Sequence, residues 1–511
     1  MADALRFRGS GSPPHIIMFL VDDLGWNSVY NNERTITPFI DRLARDEGVK
    51  LTSHYTYSVC APSRGSLMTG RYPFTLEATR NNLLPVSTPE GIDLRYNMLP
   101  KHLAKANYYS VHIGKWHLGQ FTDAYTPVSR GFDHSFGFLS GAVDYYTSKE
   151  WTSASDCKRA GIDLSFGWSN GTTVRAAVGA QDDVYGGILF AEYAAQVIRD
   201  HAGHSEPLFM YLALPNTHVP LVAPQMYLDR YKSFDEVTRD PNELTLNAMV
   251  TVVDDAAENV TTALKETGMW ADTLFVWTTD NGAPVRDGGS NHPLRGGKGN
   301  CVFEGAMRTP TFVTGGRLPA QMRGRELHGM AHISDWYATF SALAGLGGNA
   351  DSEGPAPANS HDLSGWLFGQ DSESPRKGVV YDHRMYTDEE MSEPTGAIRI
   401  GDLKLVVGDK RGMSQATWFG LFSPNISDPK PEMGVRACPQ WAPCLFNVTT
   451  GADIEERQDL AKERPDDVAW LLGQWRELRN YYHPARSPPE DDIRGYCNAI
   501  AENSGFVKPW L

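Results

Sequence analysis

His15-Ile16-Ile17-Met18-Phe19-Leu20-Val21-Asp22-Asp23 is the stretch whose reading decides the fold. Its apolar run, Ile16 to Val21, is far short of the roughly 20 residues that a membrane-spanning helix needs. It shows no polar alternation, so it reads as a strand buried on both faces that ends in two acids. Working outward, YYSVHIGKW (108–116), LFMYLALP (208–215), TLFVWTTDNG (273–282) and TPTFVTGG (309–316) repeat the pattern. Between them TPFIDRLARDEG (37–48), GGILFAEYAAQVIRDHAG (186–203) and the stretch from Leu244 to Gly268 read as helices. Strands alternating with helices predict an α/β fold, with a large, mostly parallel sheet covered on both faces. In such sheets ligands sit at the C-terminal ends of the strands.

The pattern changes after LGGNADSEGPAPANS (346–360), a Gly/Pro/Ser-rich stretch that reads as a loop near a domain edge. KGVVYDHR (377–384), AIRIGDLKLVVG (397–408) and CLFNVTTG (444–451) read as strands of a smaller antiparallel sheet. DDVAWLLGQWRELRNYY (466–482) follows as an amphipathic helix. The expected division is therefore an α/β domain over 1–376 and a smaller C-terminal α+β subdomain over 377–511.

Hydrophobic residues make up 41% of the 511 and charged residues 21%, which excludes a disordered chain and a disulfide-stapled miniprotein. The net charge of −15, with no dominant basic patch, argues against a nucleic-acid partner. An anionic substrate would need a local basic pocket. The six cysteines, Cys60, Cys157, Cys301, Cys438, Cys444 and Cys497, are too few to define a disulfide framework. Cys438 and Cys444 are close enough to pair across a loop, although spacing does not decide it. Sequons at Asn170, Asn259, Asn425 and Asn447 lean toward a secretory protein. Against that, MADALRFRGSGSPP has no apolar signal region. Either such a segment is missing from this chain, or the protein is not secreted by that route.

Three signals carry chemistry. Asp22-Asp23 and Asp280-Asn281 each end a core strand. Neighbouring carboxylates repel unless a cation sits between them, and hard oxygen donors suit Ca²⁺ or Mg²⁺. Either pair alone reads equally as a turn or helix cap; two pairs ending two strands of one sheet favour the metal. Next, Cys60-Ala61-Pro62-Ser63-Arg64 sits at an expected helix start. Arg64 and the helix N-terminus would both favour a thiolate there, with a plain buried cysteine as the alternative. Finally, Lys115, His117, His218 and Lys298 lie at or beyond the ends of strands. Each alone could be structural or solvated, but together they form the expected basic pocket for a small tetrahedral anion beside a divalent cation.

CAPSRGSLMTG (60–70) resembles the first signature of the type I, formylglycine-dependent sulfatases, and GKWHLG (114–119) resembles the second. VDDLGW, the LPNTHVPL histidine, TTDNG and PLRGGKG complete the pattern in family order, and the resemblance runs from Ile16 to about His483. PLRGGKGNCVFEGAMR, HISDWYATFSALAG, AIRIGDLKLVVG and CLFNVTTGADIEERQDL are most similar to the arylsulfatase B group, which includes N-acetylgalactosamine-4-sulfatase.

The resemblance implies an alkaline-phosphatase-like sulfatase fold and hydrolysis of sulfuric esters, of aryl sulfates and of sulfated sugars or polysaccharides. It implies that Cys60 is converted to Cα-formylglycine by a formylglycine-generating enzyme, so the nucleophile would be a hydrated aldehyde and not a thiolate. Asp22, Asp23, Asp280 and Asn281, with the converted Cys60, would hold one Ca²⁺. One hydrate oxygen would attack sulfur, giving a covalent sulfo-enzyme intermediate. Asp280 would take the nucleophile's proton, His218 would protonate the leaving oxygen, and His117 would deprotonate the second hydroxyl to expel sulfate. Arg64 would hold the hydrate, Lys115 would bridge it to the sulfate, and Lys298 would bind sulfate beside His218.

With Cys60 consumed, at least one of the five remaining cysteines is unpaired, and Cys301 reads as a free buried thiol. The region from Val143 to Tyr185 is expected to select the sugar, with its aromatic rings either stacking on it or forming wall. The family's relatives place the protein in the secretory pathway, secreted or lysosomal, and the missing signal region departs from them. Two alternatives stand beside this reading: a phosphonate or phosphate monoester hydrolase of the same superfold, and a non-catalytic binder of sulfated glycans. Oligomeric state and endo or exo action are not legible in the sequence.

Overall fold

The computed structural model describes residues 12–30, 32–76, 86–150, 157, 161–170, 173–175, 184–234, 241–299, 302–348, 354–355, 358–384, 395–408, 438–439, 441–449, 451–478 and 492–511. Ten strands form the main sheet: β1 (His15–Val21), β2 (Val49–Tyr55), β3 (Tyr109–Lys115), β4 (His134–Phe138), β5 (Ser165–Trp168), β6 (Thr173–Arg175), β7 (Leu208–Ala213), β8 (Thr273–Thr279), β9 (Phe312–Thr314) and β10 (Arg325–His332). Their order is β10-β2-β9-β8-β1-β7-β3-β4-β5-β6. The central run β8-β1-β7-β3-β4 is parallel throughout, as is the outer pair β10 and β2. β9, β5 and β6 run antiparallel to their neighbours.

β1 shows why an unbroken apolar run was needed. Ile16, Met18 and Leu20 point into one core, with Trp336 and Phe340 of the Asp335–Leu343 helix. Ile17, Phe19 and Val21 point into the other, with Phe190 and Ala194 of the Gly186–His201 helix and Val250 and Val253 of the Pro241–Glu266 helix. Successive side chains of a strand face opposite ways, so a central strand covered on both faces has no position left for a polar residue until it ends. TPFIDRLARDEG is helical from Pro38, with its last turn, Leu43–Glu47, wound as a π-helix.

The second sheet is fully antiparallel: β11 (Gly378–Arg384), β12 (Thr395–Ile400), β13 (Leu403–Val407) and β14 (Cys444–Asn447). The Pro465–Glu477 helix buries Leu471 and Trp475 against Leu403, Leu405 and Val407 of this sheet. The sequence pattern had carried that helix to Tyr482, and residues 479–482 lie outside the described ones. The last residues return to the segments around Phe121 and Ile162. Ile162 donates its N–H to Gly505 O (2.8 Å) and accepts from Val507 N–H (2.9 Å), and Trp510 N–H donates to Phe121 O (2.9 Å).

A disulfide joins Cys157 to Cys497, 340 residues apart. Cysteine spacing could not show this, because the pairing depends on the returning tail. Cys438 and Cys444 form the second disulfide. Cys60 is the free cysteine among the described residues, and Cys301 lies outside them. No helix among the described residues is long and apolar enough to cross a membrane.

Candidate active site

β8, β1, β7 and β3 are adjacent and parallel, so their C-terminal ends open on one edge of the sheet. Asp22 and Asp23 leave β1 there, and Asp280 and Asn281 leave β8 beside them, with Asp280 N–H donating to Val21 O at 3.1 Å. Lys115 ends β3, with His117 just beyond, and His218 follows β7. Cys60 is the first residue of the Cys60–Thr69 helix, and Arg64 lies about one turn along it. Lys298 arrives from the loop after β8, its N–H donating to Ala283 O at 3.2 Å.

All ten sequence-predicted residues thus meet at this edge. Cys60 Sγ donates to Asp22 Oδ1 at 3.4 Å, and Lys115 Nζ donates to Asp22 Oδ2 at 2.5 Å. Arg64 donates to Asp280 Oδ2 through Nε (3.0 Å) and Nη2 (2.7 Å), and its Nη2 is 3.5 Å from Asp22 Oδ2. Lys298 Nζ donates to Asp23 Oδ2 at 2.7 Å, Asn281 Nδ2 donates to Asp23 Oδ1 at 2.6 Å, and His218 Nε2 stands 3.8 Å from Asp23 Oδ2. His117 is buried within electrostatic reach of Lys115, Arg64, Asp22 and His218, and its Nδ1 has no hydrogen-bond partner among the described residues. Asp23 (φ 61°) and His117 (φ 58°) both hold left-handed backbone, which non-glycine residues adopt sparingly and which clusters at functional sites.

Two expectations need correction here. Burial and the adjacent Asp22 carboxylate push the Cys60 thiol well above its ordinary range, outweighing Lys115 and Lys298. The site therefore does not favour a thiolate, although Cys60 does open a helix. The basic pocket is also already paired: Lys115, Lys298 and Arg64 face Asp22, Asp23 and Asp280, so three cations meet three carboxylates.

Burial, then Asp22, push Asp280 up to about 6. Asp22 moves the other way: burial opposes its ionisation, but Lys115 foremost, then His218, Arg64 and Lys298, hold it far below the ordinary carboxylate range. Burial and Lys298 bring His218 down to about 4, and burial, Lys115 and Arg64 hold His117 well below its usual value.

The carboxylate and amide oxygens of Asp22, Asp23 and Asn281 suit a hard divalent cation. Donor atoms of Asp22, Asp23, Cys60 and His218 lie within 4.8 Å of one another. Asn281 Oδ1 is buried with no hydrogen-bond partner among the described residues, an acceptor that a cation would satisfy. A divalent ion would also restore the net positive charge that paired lysines cannot give an incoming anion.

Several contributors were invisible to sequence reasoning. Tyr211, inside β7, accepts from Arg64 Nη1 (3.3 Å), which also donates to Lys115 O (3.1 Å). Asp163 accepts from the N–H groups of Leu139 (3.0 Å) and Ser140 (2.7 Å), and Leu139 O accepts from His117 N–H (3.1 Å). Gly141 lies directly against the His117 ring: a Cβ there would sit 2.8 Å from its Cε1 and Nε2. Of the region expected to select a sugar, Tyr145 and Tyr185 are buried and stacked on each other (4.8 Å, 4°), so these two are wall. Residues 151–156, 158–160, 171–172 and 176–183 of it lie outside the described ones.

Comparison with known proteins gives the family. Mouse (Mus musculus) arylsulfatase J is 31% identical over 518 residues, covering 98% of this chain and 80% of that protein. N-acetylgalactosamine-6-sulfatase of Rattus norvegicus is 30% identical, covering 66% of this chain and 63% of that protein. The crystal structure of Ps i-CgsB in complex with k-i-k-neocarrahexaose is similar at a TM-score of 0.73 and 25% identity, covering 92% of this chain and 94% of that one. These relatives support the sulfatases as a whole and do not single out the arylsulfatase B group. The Sulfatase family profile matches residues 14–346, the part of the chain that builds the edge described above, and the protein belongs to the sulfatase family of sulfate-ester hydrolases.

Proposed function

We propose that this sulfatase works through formylglycine at Cys60 and one Ca²⁺, on sulfated sugars or polysaccharides and on small aryl sulfates. The observation that carries the reading is the placement of Cys60 Sγ 3.4 Å from Asp22, at a strand-end edge ringed by Lys115, Lys298, His117 and His218. A thiol held protonated by its surroundings is a poor nucleophile, and conversion of Cys60 supplies an oxygen nucleophile instead. Asp22, Asp23, Asp280 and Asn281 would hold the Ca²⁺, which polarises the sulfate when bound.

The chain's own groups divide the rest of the work. Lys115 and Lys298 present ammonium groups to the sulfate oxygens, and Arg64 holds the converted side chain. Asp280 accepts the nucleophile's proton. His218 Nδ1 donates to Val219 O at 2.7 Å, so Nε2 carries a proton only in the imidazolium form, which the negative charge of a bound sulfate favours, and that is the proton it hands to the leaving oxygen. His117 then takes the proton whose loss releases sulfate. Within the family, the stretches quoted from 293–308 and 332–460 support a place beside the arylsulfatase B group. Two disulfides support an oxidising compartment, secreted or lysosomal, where a formylglycine-generating enzyme would meet the chain. The C-terminal stretch 377–511 is proposed as the smaller subdomain beside a catalytic 1–376.

The test is a side-by-side assay of 4-nitrophenyl sulfate, 4-nitrophenyl phosphate and sulfated monosaccharides. Sulfate esters should turn over at least about a hundredfold faster than the phosphate, a gap of roughly 3 kcal/mol in barrier. Cys60→Ala should abolish turnover in a folded protein, and Asp280→Ala should lose bound Ca²⁺ and activity together. Faster phosphate turnover, an active Cys60→Ala variant or an active, metal-free Asp280→Ala variant contradicts the proposal.

A further inference from the structure

Among the described residues, no side chain hydrogen-bonds the ring of His218. Its Nδ1 binds only the carbonyl of the next residue, Val219, and its side chain is 13% exposed. The position of Nε2 is therefore set by the backbone of the turn that carries it. That turn runs from Pro215 to His218 and closes on itself, with His218 N–H donating to Pro215 O at 3.0 Å. Its middle is tied to the metal-site acids: Asn216 O accepts from Asp22 N–H at 2.6 Å, and Thr217 Oγ1 donates to Asp22 O (3.3 Å) and Asp23 O (3.2 Å).

The two ends of the turn are joined by Tyr145. Its hydroxyl lies 2.7 Å from Pro215 O and 2.8 Å from His218 O, so one phenolic hydrogen is shared between the first and last carbonyls. The phenol is itself held. Its ring stacks on Tyr185 at 4.8 Å and 4°, and its own carbonyl accepts from Gly186 N–H at 2.7 Å. Tyr185 OH accepts from Asn216 Nδ2 (3.2 Å), which also donates to Met249 O (3.0 Å). The hydroxyl is the end of a buried brace that runs from the Pro241–Glu266 helix to the backbone of His218.

We infer that Tyr145 is a positioning residue for proton delivery: its hydroxyl fixes the Pro215–His218 turn so that His218 Nε2 meets the leaving oxygen. The inference rests on the proposed role of His218. Removing the hydroxyl while keeping the ring should loosen Nε2 and leave the nucleophile and the sulfate-binding lysines where they are. Proton donation matters little when the leaving alcohol is acidic and a great deal when it is not. The loss should therefore depend on the leaving group, which general damage to the fold would not produce.

The experiment compares kcat/KM of wild type, Tyr145→Phe and His218→Gln on 4-nitrophenyl sulfate and on phenyl sulfate. The ratio between the two substrates is taken within one preparation, so a smaller folded fraction cancels. Tyr145→Phe should stay within about twofold of wild type on 4-nitrophenyl sulfate and lose about tenfold on phenyl sulfate, and His218→Gln should show the same trend more steeply. An equal loss on both substrates, or none on either, in Tyr145→Phe overturns the inference while a steep trend in His218→Gln keeps the role of His218. A flat trend in His218→Gln overturns that role and the inference together.

Discussion

Arg64 Nη2 lies 2.7 Å from Asp280 Oδ2 and 3.5 Å from Asp22 Oδ2, with all three side chains wholly buried. One guanidinium therefore separates two carboxylates that end neighbouring strands, and its fork also reaches Lys115 O and Tyr211. Taking one partner from a buried ion pair costs about 3–5 kcal/mol, because the remaining charge keeps its desolvation penalty. Arg64→Met should lose that much in denaturant unfolding. Glu326→Gln, which breaks the half-exposed pair with Lys50, should lose no more than about 1 kcal/mol. Equal effects at the two positions would contradict the assignment of Arg64 as the cation between the acids.

The absence of a Cβ at Gly141 leaves room for His117. Gly141→Ala would place a methyl carbon 2.8 Å from His117 Cε1 and Nε2, and a contact that short forces the ring to shift. If His117 deprotonates the group that releases sulfate, the first turnover should proceed normally and later ones should slow by about tenfold or more. Rapid-mixing assays with 4-nitrophenyl sulfate should then show a burst of nitrophenol followed by a slow phase. A single phase at the wild-type rate would contradict the placement.

Asp254 gives a prediction about pH. Its carboxylate accepts the N–H groups of Ile40 (2.7 Å) and Phe39 (3.1 Å), yet burial raises it from the ordinary 3.8 to about 7. A carboxyl raised on folding contributes stability that is complete below about pH 4 and is lost as pH rises through 7. Asn mimics the protonated acid and does not titrate. The stability of Asp254→Asn relative to wild type should therefore improve by about 2–3 kcal/mol between pH 5 and pH 8, at 1.36 kcal/mol per unit. Urea unfolding at the two pH values checks it, and a difference independent of pH would contradict it.

The ten residues that meet at the strand-end edge were legible because nine lie at or soon after a strand end or in the first turns of a helix, and PLRGGKG marks Lys298, which lies in a loop. The central strands β1, β7 and β8 were legible for a related reason: their middle residues are apolar on both faces and have no helical periodicity to confuse them. β2, β4, β5, β6 and β10 were not recognised as strands. VKLTSHY, HSFGF and RELHGMAH interrupt their apolar residues with histidine, serine and charge, because β2 and β10 lie at one flank of the sheet and β4 meets the short β5 hairpin. Tyr145, Asp163 and Gly141 stayed hidden because their roles depend on which turn they touch. The Cys157–Cys497 bond stayed hidden because it joins the ends of a long excursion. The thiolate expectation failed for a physical reason: Cys60 is wholly buried, the Asp22 carboxylate lies 3.4 Å from its sulfur, and Arg64 turns to Asp280.

The central claim, that Cys60 works as formylglycine, is tested most directly by the mass of the tryptic peptide Leu51 to Arg64 from active protein of natural source. The account predicts a peptide about 18 Da lighter than its cysteine form, the covalent change that replaces a thiol with an aldehyde. An unmodified Cys60 peptide throughout a fully active preparation would contradict it.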